Sequence, residues 1–423
     1  MRRRNWAGNL TYRARRLHRP ETLEQLAEIV ASAPKLRVLG TRHSFSDIAD
    51  GDEQVTLDAL PEEIVVDHDG STVSCSAWIT YGRLAAALHR EGCALANLAS
   101  LPHISVGGAV ATATHGSGNR NGNLATSVAA LEIMTSDGAL HRHARGDPEF
   151  DGIVVGLGAV GAVTRVTLDV EPAYDVRQWV FEDMSWASLI ENFDAVTDGG
   201  YSVSVFSRWG ARVEQVWVKR RVSADDEAPG DSLFGARAAT VKRHPLLGVD
   251  PVHATEQLGA PGLWSDRLPH FRMGFTPSSG EELQSEYLMP RHHAPAAVQA
   301  MLTLSDVVHP LVQVAEIRTV AADELWMSPA YEQDLVAFHF TWIPDDAAVG
   351  RALAGIERVL TPFEARPHWG KLFRMRADHI ADLYPRLDDF RSLLDRLDAR
   401  GAFRNPWLER VLGADDFRRL PRS

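Results

Sequence analysis

Cysteine is nearly absent: Cys75 and Cys93 are the only two in 423 residues. Two thiols in so long a chain cannot build a disulfide framework. That fits a reducing cytoplasm, leaves Asn9-Leu10-Thr11 as an unused glycosylation sequon, and makes both thiols small, inert core side chains. Also missing is any apolar run of about 18 residues, so no transmembrane helix is expected. Met1-Arg2-Arg3-Arg4 has the charge of a signal-peptide start, but Asn5-Trp6-Ala7-Gly8-Asn9 follows instead of an apolar stretch, and no export signal is expected. There is no basic excess. With 44 Lys and Arg against 56 Asp and Glu, the net charge of −12 argues against nucleic-acid binding and for a neutral or cationic small substrate. No internal repeat, low-complexity tract, HExxH helix or Cys/His zinc spacing is present. His141-Arg142-His143 and His292-His293 are therefore read as solvated, and no metal is expected.

What is there is an ordinary globular composition, 45% hydrophobic and 24% charged, in a chain long enough for two domains. Leu23, Leu26, Ala27 and Val30 lie on one face of a helix opened by Pro20-Glu21-Thr22 and stopped by Pro34. A core strand at Leu36, Val38 and Leu39 follows. Strand and helix then alternate: a strand around Val73, Cys75 and Ala77, and a helix from Tyr81 with Leu84, Ala87 and Leu88, closed by Gly92. Val128 to Met134 and Leu140 to His143 form a hairpin about Asp137-Gly138, with the positive φ angles of a two-residue turn. Beyond Glu171-Pro172, Tyr201 to Phe206 and Val213 to Val218 alternate as strands. The run from Ser223 to Gly262, rich in Gly, Pro and charge, is read as a surface insertion or mobile excursion. Ser285 to Met289, Val312 to Val320 and Leu335 to Trp342 give an antiparallel sheet with a helix from Ala294 to Leu304. A helical tail with Leu393, Leu394, Leu397, Phe403 and Trp407 packs back on the first domain.

The loop Val38-Leu39-Gly40-Thr41-Arg42-His43-Ser44 ends a strand at a glycine, where a backbone can approach a ligand, and delivers a histidine among small residues. By itself it is compatible with phosphate binding, metal ligation or neither. Ser100 to Gly118 is dense in Gly, Ala, Ser and Thr, suited either to gathering N–H groups on a pyrophosphate or to tight turns and close helix packing. Gly156-Leu157-Gly158-Ala159-Val160-Gly161 matches the dinucleotide fingerprint by letter. The β-branched run Val163 to Val170 follows where the fingerprint needs a helix, so that reading is rejected. Glu316-Ile317-Arg318 and His339-Phe340-Thr341 put polar groups at i and i+2, on one strand face that is either solvated or functional. His368-Trp369-Gly370-Lys371 is an aromatic turn ending in a lysine.

In order and spacing, Gly40 to Phe45, Ala99 to Gly108, Thr114-His115-Gly116-Ser117-Gly118, Glu316-x-Arg318-Thr319, His339-Phe340-Thr341-Trp342 and His368-Trp369-Gly370-Lys371 resemble the vanillyl-alcohol oxidase family of flavoproteins. They are similar to its alditol-oxidising branch, a relative of the aldonolactone oxidases. The resemblance implies an α+β, two-domain flavoprotein with a PCMH-type FAD-binding domain at 1–178, completed by 362–423. A substrate domain at 179–361 would be built on an antiparallel sheet flanked by helices. It implies FAD linked covalently through His43 and cradled by Val38, Leu39, Gly40, Thr41, Arg42, Ser44, Ser100, Ser105, Gly108, Thr112, Ala113, Thr114, His115, Val163 and His368. One departure lies in the loop, where Thr41-Arg42 stands in place of smaller residues such as Ser-Gly.

The implied reaction is oxidation of the terminal hydroxyl of linear alditols such as xylitol and sorbitol, by hydride transfer to flavin N5, with O2 reduced to hydrogen peroxide. A departing hydride leaves alkoxide character, so cations lower the barrier. Arg318 and Lys371 are the expected stabilisers, with Glu316, Ser100 and Thr341 on the chain of hydroxyls. His339 is the expected proton acceptor, and Ala99 the small residue that leaves oxygen a path. The expected enzyme is a cytoplasmic monomer whose partners are a polyol and O2, with neither nucleic acid nor membrane. An aldonolactone oxidase or dehydrogenase is the alternative within the family. A flavin protein without turnover and a metal-dependent hydrolase are the alternatives outside it.

Overall fold

The computed structural model describes residues 3–223, 228–274 and 282–413. Residues 414–423 of the expected second FAD-domain segment, and 224–227 of the expected excursion, lie outside the described residues. Near the N-terminus Arg16–His18, Glu53–Val55 and Leu36–Val38 form a parallel sheet with Glu53–Val55 central. A parallel pair needs a crossover, which the helix Leu23–Ser32 supplies. Thr22 caps it by accepting from Gln25 N. Leu26 and Val30 are buried, but Leu23 is 40% exposed, so the apolar face is narrower than the sequence spacing predicts.

A second, antiparallel sheet runs in the order Ile64–Asp67, Thr72–Ser76, Ala162–Asp169, Val128–Met134, Leu140–Ala144. In its middle strand Ala162, Thr164, Val166 and Leu168 are buried while their neighbours are half-buried, the alternation of a sheet with one covered face. The Gly156–Gly161 loop thus feeds a strand, as the rejection of the dinucleotide fingerprint requires. The Asp137-Gly138 turn differs from expectation. Only Gly138 has positive φ, at +82°, and Gly138 N donates to Thr135 O inside a loop closed by Thr135 N to Ala139 O. That is a turn followed by one left-handed residue, with the Asp137 carboxylate accepting from Ala139 N.

The rest of the chain builds a large, mainly antiparallel sheet of ten strands. Its central order is Asp175–Met184, Val213–Arg221, Ser202–Ser207, Val312–Val320, Leu335–Trp342, Leu283–Pro290. Residue 178, the expected domain boundary, falls inside Asp175–Met184, whose partners all belong to this sheet. Arg366–Pro367 adds to its far edge against Leu283–Pro290. The expected excursion is corrected over its described part. Ala236–Ala238 pairs with Asp175–Met184, and Ala236 and Ala254 are fully buried, so the segment is an edge of the sheet and its cover. Helices Ala294–Leu302 and Asp346–Leu360 pack on one face, the first ending two residues earlier than expected, where Thr303 Oγ1 takes the Ala300 carbonyl.

The tail returns to the N-terminal region. Phe403 joins Leu26, Val30, Leu36 and Val55 in one apolar cluster. Beside it Arg37, 3% exposed, donates to the carbonyls of Ile48, Leu157, Gly158 and Phe403 and so ties four segments together. Replacing Arg37 by methionine strands those carbonyls. A loss of about 2 kcal/mol of stability is expected, read as a lower thermal midpoint. Among the described residues no helix is long and apolar enough to cross a membrane, and both cysteines are buried and unpaired.

Candidate active site

Between the N-terminal loops and one face of the large sheet lies a cavity of about 490 Å³. Its first wall is the strand end and loop from Val38 to Phe45 with Ala99, Ser100, Ser105, Gly108, Thr112, Thr114 and His115. Its second is the sheet face carrying Gln284, Glu286, Glu316, Arg318, His339 and Thr341, and His368, Gly370 and Lys371 close the end. Every residue named from the sequence lines it except Ala113 and Val163. Ala113, at φ +51°, is buried behind the wall, and Val163 pairs with Ile133 in the second sheet. Leu157 and Gly158 also line the cavity. The rejected fingerprint therefore contributes its backbone, with both residues at positive φ, to the same site.

The loop wall is shaped for a large anionic cofactor. Among the described residues, none accepts from the N–H groups of residues 40–44, between Leu39 N on Val55 O and Phe45 N on Gly370 O. Runs of free N–H groups in a tight loop are what a pyrophosphate needs. A Cβ on Gly40 would stand 2.7 Å from Ser105 Oγ, so glycine lets the two small-residue loops meet. Thr41 Oγ1 accepts from Ser105 N and locks them. Arg42 is exposed at φ +66°, a backbone conformation that suits glycine, and its carbonyl accepts from Trp6 N. The Trp6 ring stacks on His43 at 5.2 Å. His43 Nδ1 is buried with no hydrogen-bond partner. Burial first, with the charges of His103, Lys371 and Arg42 adding to it, pushes the imidazole down to about 4. His43 is thus uncharged at neutral pH, with a buried nitrogen left unpartnered, and the loop groups fit a bound dinucleotide.

The sheet wall brings polar groups from three neighbouring strands into register. Glu316 and Glu286 both pair across the ladder with His339. The Glu286 carboxylate, 2% exposed, is the hub: Arg318 Nη2 donates to Oε1 at 2.6 Å, His115 Nε2 lies 3.2 Å from Oε1, and His339 Nδ1 lies 3.5 Å from Oε2. Burial alone would raise this carboxyl, but Arg318, His115 and His339 outweigh it and hold it well below its usual range. Glu316 is likewise held low, burial being overcome by Arg318 and by His270, whose Nε2 stands 2.7 Å from Oε1. Arg318 Nη1 also reaches Ser100 Oγ at 3.4 Å. Lys371 donates to Gln284 Oε1, with its Nζ 5.1 Å over the Phe45 ring. Burial lowers Lys371 to about 8 against the pull of Glu286. Burial also lowers His339, and takes His368 to about 3.

Glu286, Gln284 and His270 line the cavity but were missed by sequence reasoning, as was Lys219, which stands behind His270. Glu286 had a usable signal, a lone acid two residues beyond Gln284 in a strand otherwise apolar. His270 and Lys219 had none, since one sits in a loop and the other ends an apolar strand run where a solvated lysine is ordinary.

A family model for an FAD binding domain matches residues 14–144, and one for D-arabinono-1,4-lactone oxidase matches residues 279–411. Alditol oxidase of Streptomyces sp. (strain IKD472 / FERM P-14339) is 48% identical, the match covering 96% of this chain and 98% of that one. L-gulono-1,4-lactone dehydrogenase of Mycobacterium tuberculosis is 27% identical over 97% of this chain and 98% of its own. L-gulonolactone oxidase of Mus musculus is 24% identical over 96% and 97%. Among solved structures, cholesterol oxidase from B. sterolicum superposes with a TM-score of 0.77 at 14% identity, over 97% of this chain and 96% of that one, a likeness of fold. With a cradle suited to a flavin dinucleotide facing a buried polar sheet, and near-half identity along almost its whole length, the chain belongs to the alditol oxidase family of FAD-dependent oxidoreductases, related to the aldonolactone oxidases.

Proposed function

We propose that this enzyme oxidises the terminal primary hydroxyl of linear alditols such as xylitol and sorbitol to the aldose, returning the electrons to O2 as hydrogen peroxide. The observation that carries this is the buried face of Glu286, Glu316, Arg318, His339 and Thr341, which offers charged and hydrogen-bonding groups along a row where a polyol carries a hydroxyl on each carbon. Such groups left unpaired would penalise an apolar alcohol. FAD, when bound, supplies the hydride acceptor at N5. Ser100, Glu316 and Thr341 hold the hydroxyls, and Arg318 and Lys371 stabilise negative charge on the reacting oxygen. His339 takes the hydroxyl proton. Its Nδ1 faces the Glu286 anion, which favours a proton there and leaves Nε2 bare, 3.3 Å from Thr341 Oγ1 and open to the cavity. Val38, Leu39, Gly40, Thr41, Arg42, Ser44, Ser105, Gly108, Thr112, Thr114, His115 and His368 surround the cofactor. His43 Nδ1 carries the covalent link.

The two N-terminal sheets with the returning tail serve as the FAD unit, and the large sheet with its helices as the substrate unit, of a monomeric cytoplasmic enzyme. Ala99 leaves oxygen its path, so stopped-flow mixing of the reduced enzyme with oxygen should show decay faster than that of free flavin, and Ala99→Leu should slow it. Acid precipitation tests the tether. Yellow colour should stay with the wild-type protein and be released from His43→Ala, whereas colour freed from both would overturn the link. Because a charged Lys371 is required and burial sets it near 8, kcat/KM for xylitol should fall as pH rises through about 8. Peroxide formed with xylitol but not with an aldonolactone supports the alditol reading; the reverse result would replace it.

A further inference from the structure

Lys219 is a buried lysine that none of the steps above uses. It stands on Val213–Arg221, 1% exposed, between Gln178 and Ser202 of the neighbouring strands. Its amine donates to Leu268 O, to Pro269 O at 3.4 Å, and faces His270 Nδ1 at 3.2 Å. Burial lowers this amine to about 7; its N–H hydrogens serve all three acceptors only in the ammonium form, which has no lone pair to offer. His270 Nδ1 must then be bare, and the ring proton sits on Nε2, 2.7 Å from Glu316 Oε1. Phe206 and Trp217, with ring centroids 5.3 and 5.4 Å from that of His270, hold the imidazole edge-on in this line. The charged and titratable groups that face Lys219 are Glu316, Arg318 and His270 itself.

We propose that Lys219 and His270 are positioning residues that orient the Glu316 carboxylate, whose charge Arg318 balances, so that His270 satisfies one oxygen and the other, 3.6 Å from Arg318 Nε, is offered to a substrate hydroxyl. An acceptor-only carboxylate demands a donor from the substrate, so the relay favours a hydroxyl over a lactone carbonyl at that point of the cavity. It rests on the reading of Glu316 as a polyol contact. The arrangement is local to the second wall and independent of the cofactor.

The test uses the flavin-loaded enzyme with xylitol, together with 15N NMR of histidine, the His270 signals being assigned by their loss in His270→Asn. Wild type should show His270 protonated at Nε2. Lys219→Met should lose that preference and raise KM about tenfold or more with kcat little changed, the pattern of lost uniform binding. Lys219→Gln, neutral but still able to donate to Nδ1, should keep the tautomer and a KM within about threefold of wild type. A wild-type His270 protonated at Nδ1, an unchanged KM in Lys219→Met, or a Lys219→Gln as impaired as Lys219→Met would overturn the proposal. If polyols fail to reduce the wild-type flavin, the functional reading falls, and the tautomer measurement alone decides the role of Lys219.

Discussion

Lys371→Met is expected to lower kcat/KM for xylitol about 10²–10³-fold, the range seen when one preorganised electrostatic group at a developing oxyanion is removed. Lys371 is half-buried in the cavity wall, so its charge acts on the reacting oxygen with less screening than at the surface. The loss should appear in the anaerobic rate of flavin reduction. Folding should be little changed, because the direct hydrogen-bond partner left behind is the neutral amide of Gln284, and methionine keeps an unbranched apolar stem of similar length. Loss of the alkaline limb near pH 8 should accompany the loss of rate, since the group that titrates there is gone. A variant that keeps wild-type reduction rates would remove Lys371 from the chemistry.

Arg318→Met is expected to cost both activity and about 3–5 kcal/mol of stability, because it leaves carboxylates buried without their cation. Glu286 and Glu316 are 2% and 5% exposed, and both are held ionised by Arg318. Without it, burial raises their folded-state carboxyl pKa values above those of the unfolded chain. Stability is then present below the unfolded pKa and lost as pH rises through the raised folded value, so the thermal midpoint of the variant should drop more at pH 8 than at pH 5. Adding Glu286→Gln should recover part of the loss by removing one unpaired charge. An Arg318→Met protein as stable as wild type at pH 8 would mean that the Glu286 cluster is held by its other partners.

Much of this site was legible in the sequence because its residues come in local patterns. Glu316 with Arg318 and His339 with Thr341 sit at the two-residue period of strands, so a shared face follows without knowing which strands are neighbours. The His43 loop is equally local, a strand ending at Gly40. Arg42 stood out there as a bulky residue, and its φ of +66° puts it in a backbone conformation that suits glycine. What stayed hidden depends on long-range register. Glu286 becomes the hub only because Leu283–Pro290 lies beside Leu335–Trp342, more than 40 residues on, with Glu286 opposite His339. Gln284 and Glu286 mark one face of Leu283–Pro290, but with all eight positions buried nothing local says which strand that face meets. The run from Ser223 to Gly262 misled for the opposite reason. Glycine, proline and charge mark turns, but they do not say whether the chain between them finds a sheet edge, as Ala236–Ala238 does.

The most direct test of the central claim, that a tethered flavin faces a polar wall built for polyols, is anaerobic mixing of the purified protein with xylitol while the flavin absorbance is followed. Xylitol and sorbitol should bleach the flavin rapidly, and simple aliphatic alcohols or aldonolactones little. A flavin that stays oxidised with every polyol, or one that an aldonolactone bleaches faster, would contradict it.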